Sequence, residues 1–289
     1  MTATVTDHDN AYADLLGSDD AHWAFGHLPE IQQGEDPLAG VDTTVPAGLD
    51  PAGLAAYCLF LGDDALVMSH RLSEWCSNAP DLEDDIALAN IALDLLGQAR
   101  LLLSRAAAAD PSVVPALPEG SPVPAEDALA FFREARDFRN VRLVEVPHGD
   151  FGHLVARLLL FATARLAAFE RLTAHADPVL SAIAAKGVKE LAYHRDYAAR
   201  WFVTLAQGTD ESRRRLLAGL TEVWPLQAEL VATYDVAAET GVVLDEVLAA
   251  AGVDRPAVGP MSGHGHTEAL SRMLAEMQVV ARAHPLGTW

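Results

Sequence analysis

Positive charge is what this chain has least of. In 289 residues, 20 Lys and Arg stand against 41 Asp and Glu, a formal net charge of −21. That balance excludes a nucleic-acid partner, because phosphate binding depends on Lys and Arg displacing counterions. It also excludes docking on an anionic membrane surface, while a basic protein partner suits it. Cysteine is nearly absent. Cys58 and Cys76 are far from Cys-x-x-Cys spacing and read as reduced, buried, small apolar residues rather than a disulfide. The first residues, MTATVTDHDNAYADLL, lack the positive and apolar regions of a signal peptide. No run is expected to span a bilayer, since the longest, Leu154 to Phe169, is broken by Arg157 and Arg165. The expected location is the cytoplasm, with no membrane and no nucleic acid. Missing too are a Gly-x-Gly-x-x-Gly or Walker loop, a Gly-x-Ser-x-Gly elbow and a Cys/His cluster.

What is present is helical periodicity. Residues 1–52 are acidic and punctuated by PLAG, VPAG and LDPAG. They read as an N-terminal extension, partly disordered or draped, with a short helix at Asp19–Phe25 and Trp23 and Phe25 as alternative partner anchors. Residues 53–289 read as one helical domain. Leu54, Tyr57, Cys58, Leu61, Ala65, Met68 and Leu72 recur at three and four, predicting a helix from Leu54 to about Ser77. Asp81 is the N-cap of the next, Leu82 to about Ala109, whose apolar character on most sides predicts a buried central helix. A Pro-rich link and a short helix, Glu126 to about Phe138, precede two long helices, Phe151 to about His175 and Leu180 to about Gln207, the last ended by Gly208. A fifth, Glu211 to about Glu239, should kink at Pro225. Gly241–Gly263 holds a short helix and a link. The closing helix, Thr267 to about Ala283, should bury Leu270, Met273, Leu274, Met277 and Val280. Two antiparallel pairs of long helices joined by a long crossover make an all-α, ferritin-like four-helix bundle with additional C-terminal helices.

Such bundles can hold two metal ions, with about four carboxylates and two His converging at one depth, each His three residues after a Glu. Here Glu190-Leu-Ala-Tyr193-His194 places Tyr193 at the third position and His194 at the fourth. Tyr193 is expected to take the inward place of a ligand His. The second helix offers Asn90, Asp94 and Gln98 as a polar stripe, expected to be internally hydrogen-bonded, with Gly97 three residues after Asp94. The third has no carboxylate before Glu170. Asp63, His70 and Glu74 lie near one stripe of the first helix, where His70 and Glu74 read as a surface pair. The His264-Gly-His266 pair lies in a loop. The count falls short of a full site, so Asp94 and Glu190, if buried, should be satisfied by Lys, Arg, Tyr193 or His194. No catalytic, metal-binding or cofactor-binding residue is assigned, and Asp94, Glu190, Tyr193 and His194 are candidates for a vestigial site.

Several stretches together resemble one family. They are Tyr57-x-x-x-Leu61-Gly-Asp63, Arg71-Leu-Ser-Glu74-Trp75, Asp85-Ile-Ala-Leu-Ala-Asn-Ile-Ala-Leu-Asp94-Leu-Leu-Gly-Gln-Ala-Arg100, Lys189-Glu190-x-x-Tyr193-His194, and the ending from His266 to Trp289. The chain looks like the non-catalytic, ferritin-like subunit (PaaC type) of bacterial phenylacetyl-CoA epoxidase. The resemblance implies a structural subunit of a ring-epoxidising monooxygenase complex in aerobic phenylacetate catabolism. It would have no cofactor of its own and would stabilise a homologous di-iron catalytic subunit, alongside a small bridging subunit and a flavin/iron–sulfur reductase. Ala162 then stands at mid-depth of the third helix, where a catalytic relative would want a carboxylate. The alternative is a di-iron or di-manganese oxygenase with an atypical ligand set.

Overall fold

A computed structural model describes residues 37–263 and 265–288. The readings placed on residues 1–36, on His264 and on Trp289 therefore lie outside the described residues. No strand occurs among those described.

Four long helices make the frame: α1 (Pro51–Ser73), α2 (Leu82–Ala109), α5 (Phe151–Leu172) and α6 (Pro178–Gln207). Each opens on an aspartate N-cap. Asp50 accepts from the Gly53 amide, Asp81 from Asp84, Asp150 from His153 and Asp177 from Leu180, each satisfying a donor that a helix start leaves open. Short turns join α1 to α2 and α5 to α6, so each pair runs antiparallel and packs along its length. The crossover carries the short helices α3 (Ala125–Phe131) and α4 (Arg142–Glu145). The arrangement is the expected all-α, ferritin-like bundle.

After it come α7 (Asp210–Val223), α8 (Gln227–Tyr234), α9 (Ala237–Ala251) and α10 (Glu268–Ala283). The single kinked helix expected over 211–239 is instead broken. A 3-10 turn at Trp224–Leu226 holds Pro225, and Asp235 adopts a left-handed conformation that closes α8. Gly208 follows α6 with φ −78°, so the expected left-handed cap is absent there. Of the two free cysteines expected to be buried, Cys58 is buried but Cys76, in the turn after α1, is exposed, and in α10 Val280 is exposed rather than buried. Gln278 takes the inner place and donates to the carbonyls of Ala130 and Arg133, at the end of α3 and just beyond it. The helix expected over 126–138 stops at Phe131, and α1 stops at Ser73.

Two expectations about apolar segments also change. α1, α2 and α5 are each long and apolar enough, by length and composition, to cross a membrane. In α5 nearly all of that apolar stretch, 89%, is covered by the rest of the protein, and in α1 78%. α2 was expected to be buried all round, yet only 44% of its stretch is covered. Its inner side, Leu88, Ile91, Leu95, Ala99 and Leu102, joins the core, while Leu82, Ile86, Leu93 and Leu96 face outward. The twofold-apolar pattern of α2 therefore serves two surfaces, one of which the described residues leave uncovered.

Candidate functional site

The centre of the bundle is organised by an arginine. Arg165 projects from α5 and is fully buried. Its Nε donates to Gln98 Oε1 at 3.0 Å, and Nη1 donates to the Leu61 carbonyl at 3.1 Å and to the Tyr234 hydroxyl at 3.0 Å. The guanidinium lies 4.5 Å from the Phe169 ring centroid, a cation–π contact. Tyr234 passes its own proton on, donating to Asp64 at 2.8 Å, and the Val141 amide donates to the other Asp64 oxygen at 2.8 Å. On the opposite side Gln98 Nε2 donates to Glu190 at 2.9 Å. One hydrogen-bonded line thus crosses the bundle from Glu190 on α6, through Gln98 on α2 and Arg165 on α5, to Tyr234 on α8 and Asp64 on α1.

Burial sets the charges along this line. It pushes the Asp64 carboxyl up to about 7, against the pull of the Val141 amide and the Tyr234 hydroxyl. The same desolvation raises Tyr234 well above the usual phenol range and raises Glu190. The fixed charge at the centre is the guanidinium, which carries donors and no lone pair to offer a metal. A di-metal centre would need carboxylates from all four helices at this depth. Around Arg165 the neighbouring groups are instead an amide, a peptide carbonyl and a phenol, so this layer does not fit metal ions.

Beside this layer, where α2 meets α6, lie the residues the sequence singled out. Asp94 Oδ2 and His194 Nε2 are 3.0 Å apart, and with Asp94 ionised the imidazole donates. Glu190 stands one turn before His194, its carboxylate 3.8 Å from Lys186. Asp94 and Glu190 are thus satisfied by His194, Lys186 and Gln98, of which Gln98 was not foreseen in this role. The structure reverses the expected placing of the other pair: His194 is fully buried, whereas Tyr193 is 40% exposed. The buried side of α6 runs Ile183, Ala184, Gly187, Leu191, His194, Ala198 and Phe202. His194 is in phase with that stripe and Tyr193 is turned about 100° away from it. His194 Nδ1 is buried without a protein partner among the described residues. No cluster of three or more His, Cys, Asp or Glu suited to a metal ion occurs among the described residues.

Gly187 makes the approach of α6 possible. A Cβ there would stand 2.7 Å from two ring carbons of Phe169 and 3.4 Å from Gln98 Nε2.

The other sequence candidates are structural. Asp63 is fully buried, paired with Arg133 (Nη1 to Oδ2 3.1 Å) and accepting from the Arg139 amide at 2.9 Å. Glu74 pairs with Arg71 rather than His70. His266 bridges Glu145 and the Phe138 carbonyl, fastening the link before α10 to the crossover. Arg105 and Asp177, both fully buried, pair at 2.6 Å, and Arg105 also donates to the Thr43 carbonyl at 2.8 Å. Sequence reasoning missed Asp64, Gln98 and Arg165 as one network. The available signal was the arginine in an otherwise apolar helix, which must find acceptors if it is buried.

The profile of the phenylacetic acid catabolic protein family matches residues 42–289. Among characterised proteins, the C subunit of 1,2-phenylacetyl-CoA epoxidase from Escherichia coli (strain K12) is similar to this chain. The two are 40% identical over 256 residues, covering 82% of this chain and 99% of that protein.

Proposed function

This chain belongs to the phenylacetic acid catabolic protein family, and from that premise we propose that it is a structural subunit of a phenylacetyl-CoA epoxidase. In this reading it works in the cytoplasm and contributes no catalytic residue and no metal of its own. It stabilises a homologous di-iron subunit that performs the ring epoxidation, with a bridging subunit and a reductase completing the complex. The observation that carries the reading is the likeness to an epoxidase subunit over almost that protein's whole length. Support for its metal-free part comes from Arg165, whose guanidinium fills the layer where ligands would have to converge.

The test is co-expression with the homologous subunit. A stable complex that epoxidises phenylacetyl-CoA, with iron confined to the partner, is the expected outcome. A chain that stays alone and never raises the partner's activity or yield would sink the proposal.

The second reading, an oxygenase with an atypical ligand set, is favoured by the Asp94–His194 contact with Glu190 one turn away. Elemental analysis separates the two. About two equivalents of iron on the isolated chain, lost in Glu190→Ala, would establish the second.

A further inference from the structure

The outer side of α2 is the feature that the fold leaves unexplained. Leu82 is 69% exposed, Ile86 53%, Leu93 63% and Leu96 45%, with Ala89 half-buried between them. The steps between these five residues are four, three, four and three. This is a period of about 3.5, the seam of a coiled coil, with Ile86 and Leu93 at a positions and Leu82, Ala89 and Leu96 at d positions. Between Leu82 and Leu96 it spans about 21 Å of helix. It ends where Arg100, the next a position, pairs with Glu126. A helix that merely faces water would carry polar residues on that side. Other exposed apolar residues, such as Val242 on α9 and Val280 on α10, form no such seam.

We infer that this seam is the docking site for an amphipathic helix of the homologous bundle subunit, whose own apolar stripe lies in register with it and whose flanks carry Lys or Arg. The inference rests on the functional reading above and adds the surface. Two observations select the occupant. A 3.5-residue seam of aliphatic side chains is complementary to another helix, which supplies knobs at the same period. The seam is flanked by the N-cap Asp81 and, on α2, by Glu83, Asp85 and Asp94, all acidic, while Arg100 beyond it is paired with Glu126. On the neighbouring helix α6, Lys186 is paired with Glu190 and Arg200 with Asp196, and Lys189 and Tyr193 are exposed. A second copy of this chain would bring another −21 of charge to an acidic flank. The chain's own first residues suit the flank no better, since no Lys or Arg occurs before Arg71. At the C-terminal part of the seam Gly97 has open space where a Cβ would be, leaving room for a close backbone approach.

The experiment compares complexes of the full chain with the homologous epoxidase subunit, measured by co-purification and by titration of the separately purified proteins. Ile86→Glu combined with Leu93→Glu should weaken binding by at least ~100-fold, the scale of losing two central apolar anchors. Val280→Glu, on α10, should leave it within about twofold, the range of an ordinary surface change. Circular dichroism and thermal melting of the free chain should show both variants folded. If the parent chain forms no complex, the functional reading fails and the surface inference goes with it. If the parent binds and the double variant binds equally well, the surface inference alone is overturned. Sedimentation of the free chain supplies a further check: a dimer abolished by the double variant would overturn the inference by assigning the seam to a second copy. A Leu93→Cys probe in a Cys76→Ser background should react quickly with maleimide in the free chain and at least ~10-fold slower in the complex, as expected for a buried interface. Slow reaction in the free chain that becomes fast on deleting residues 1–36 would overturn it too, assigning the seam to the chain's own start.

Discussion

α2 and α5 have almost the same apolar content, with peak mean hydropathy of 1.5 and 1.4, and opposite fates. α5 is wrapped by its neighbours, and two of its three arginines, Arg157 and Arg165, are fully buried. α2 has no charge in its outer seam, and the described residues leave that seam uncovered. Hydropathy therefore does not report burial here. The charged residues do, in an inverted sense: the helix with arginines in its middle is interior, because the bundle supplies acceptors for most of their donors, leaving Arg157 Nε and Arg165 Nη2 without a protein partner among the described residues. The uncharged stripe is exterior, and on the inference above its partner is another chain.

Among changes to the polar network and the glycines beside it, the largest effect should come from breaking the network of α5. Arg165→Met removes the donor to Gln98, to the Leu61 carbonyl and to Tyr234 and leaves those groups in a dry core. The expected loss is about 3–5 kcal/mol of unfolding free energy, the usual cost of removing one member of a buried charged network. Urea denaturation measures it. A loss below about 1 kcal/mol, the scale of one ordinary hydrogen bond, would mean that water reaches the layer and that α5 is not dry.

Two glycines sharpen the contrast with opposite signs. Gly187→Ala on α6 forces a methyl against Phe169, the ring stacked on Arg165, and should cost about 1–3 kcal/mol through overpacking. Gly97→Ala on the outer side of α2 meets nothing and should stabilise the free chain by about 0.5–1 kcal/mol, the helix preference of alanine. Thermal melts of the two variants should move in opposite directions. A Gly187→Ala protein melting above the parent would show that α6 can back away from the core.

The network also carries a pH signature. The folded-state pKa of Asp64 is raised to about 7 by burial, while an unfolded aspartate titrates near 3.9. The native state therefore keeps a proton that the unfolded chain has already released. The stability linked to this group is complete below about pH 4 and is lost as pH rises through about 7. Between pH 6 and 7 that amounts to about 1 kcal/mol. Asp64→Asn should remove this part of the slope when stability is compared across the window. An unchanged slope would assign the titration elsewhere.

Much of this was legible in the chain. The four long helices follow from 3.6-residue periodicity, with the Asp81 cap marking the start of the second, and the 82–109 helix has its observed bounds. The family resemblance rested on segments such as Asp85–Arg100, which lie within the matched region. What was not legible is which way a helix turns. Glu190-x-x-Tyr193-His194 suggested an inward tyrosine by analogy with a ligand motif, but the stripe from Ile183 to Phe202 sets the phase and buries His194 instead. Asp64 sits beside Asp63 in a helix buried nearly all round, so neither neighbour's fate could be read without knowing that Val141 and Tyr234 come to meet it. The outer side of α2 was misread as core for the same reason that it is informative: its composition is that of an interior.

The smallest effect, and the one that closes the comparison, concerns Leu93. In a helix buried all round, a glutamate at such a position would be a buried unpaired charge and would cost several kcal/mol. At 63% exposure, Leu93→Glu should change the stability of the free chain by no more than about 0.5 kcal/mol, as surface substitutions generally do. The same change at Leu160 on α5, which is fully buried, should prevent folding or cost more than about 4 kcal/mol, the range reserved for core disruption. The pair turns one chemical change into a test of which surface is finished within the chain. If Leu93→Glu destabilised the free protein as Leu160→Glu does, α2 would be covered by this chain itself, and the distinction between the two helices would collapse.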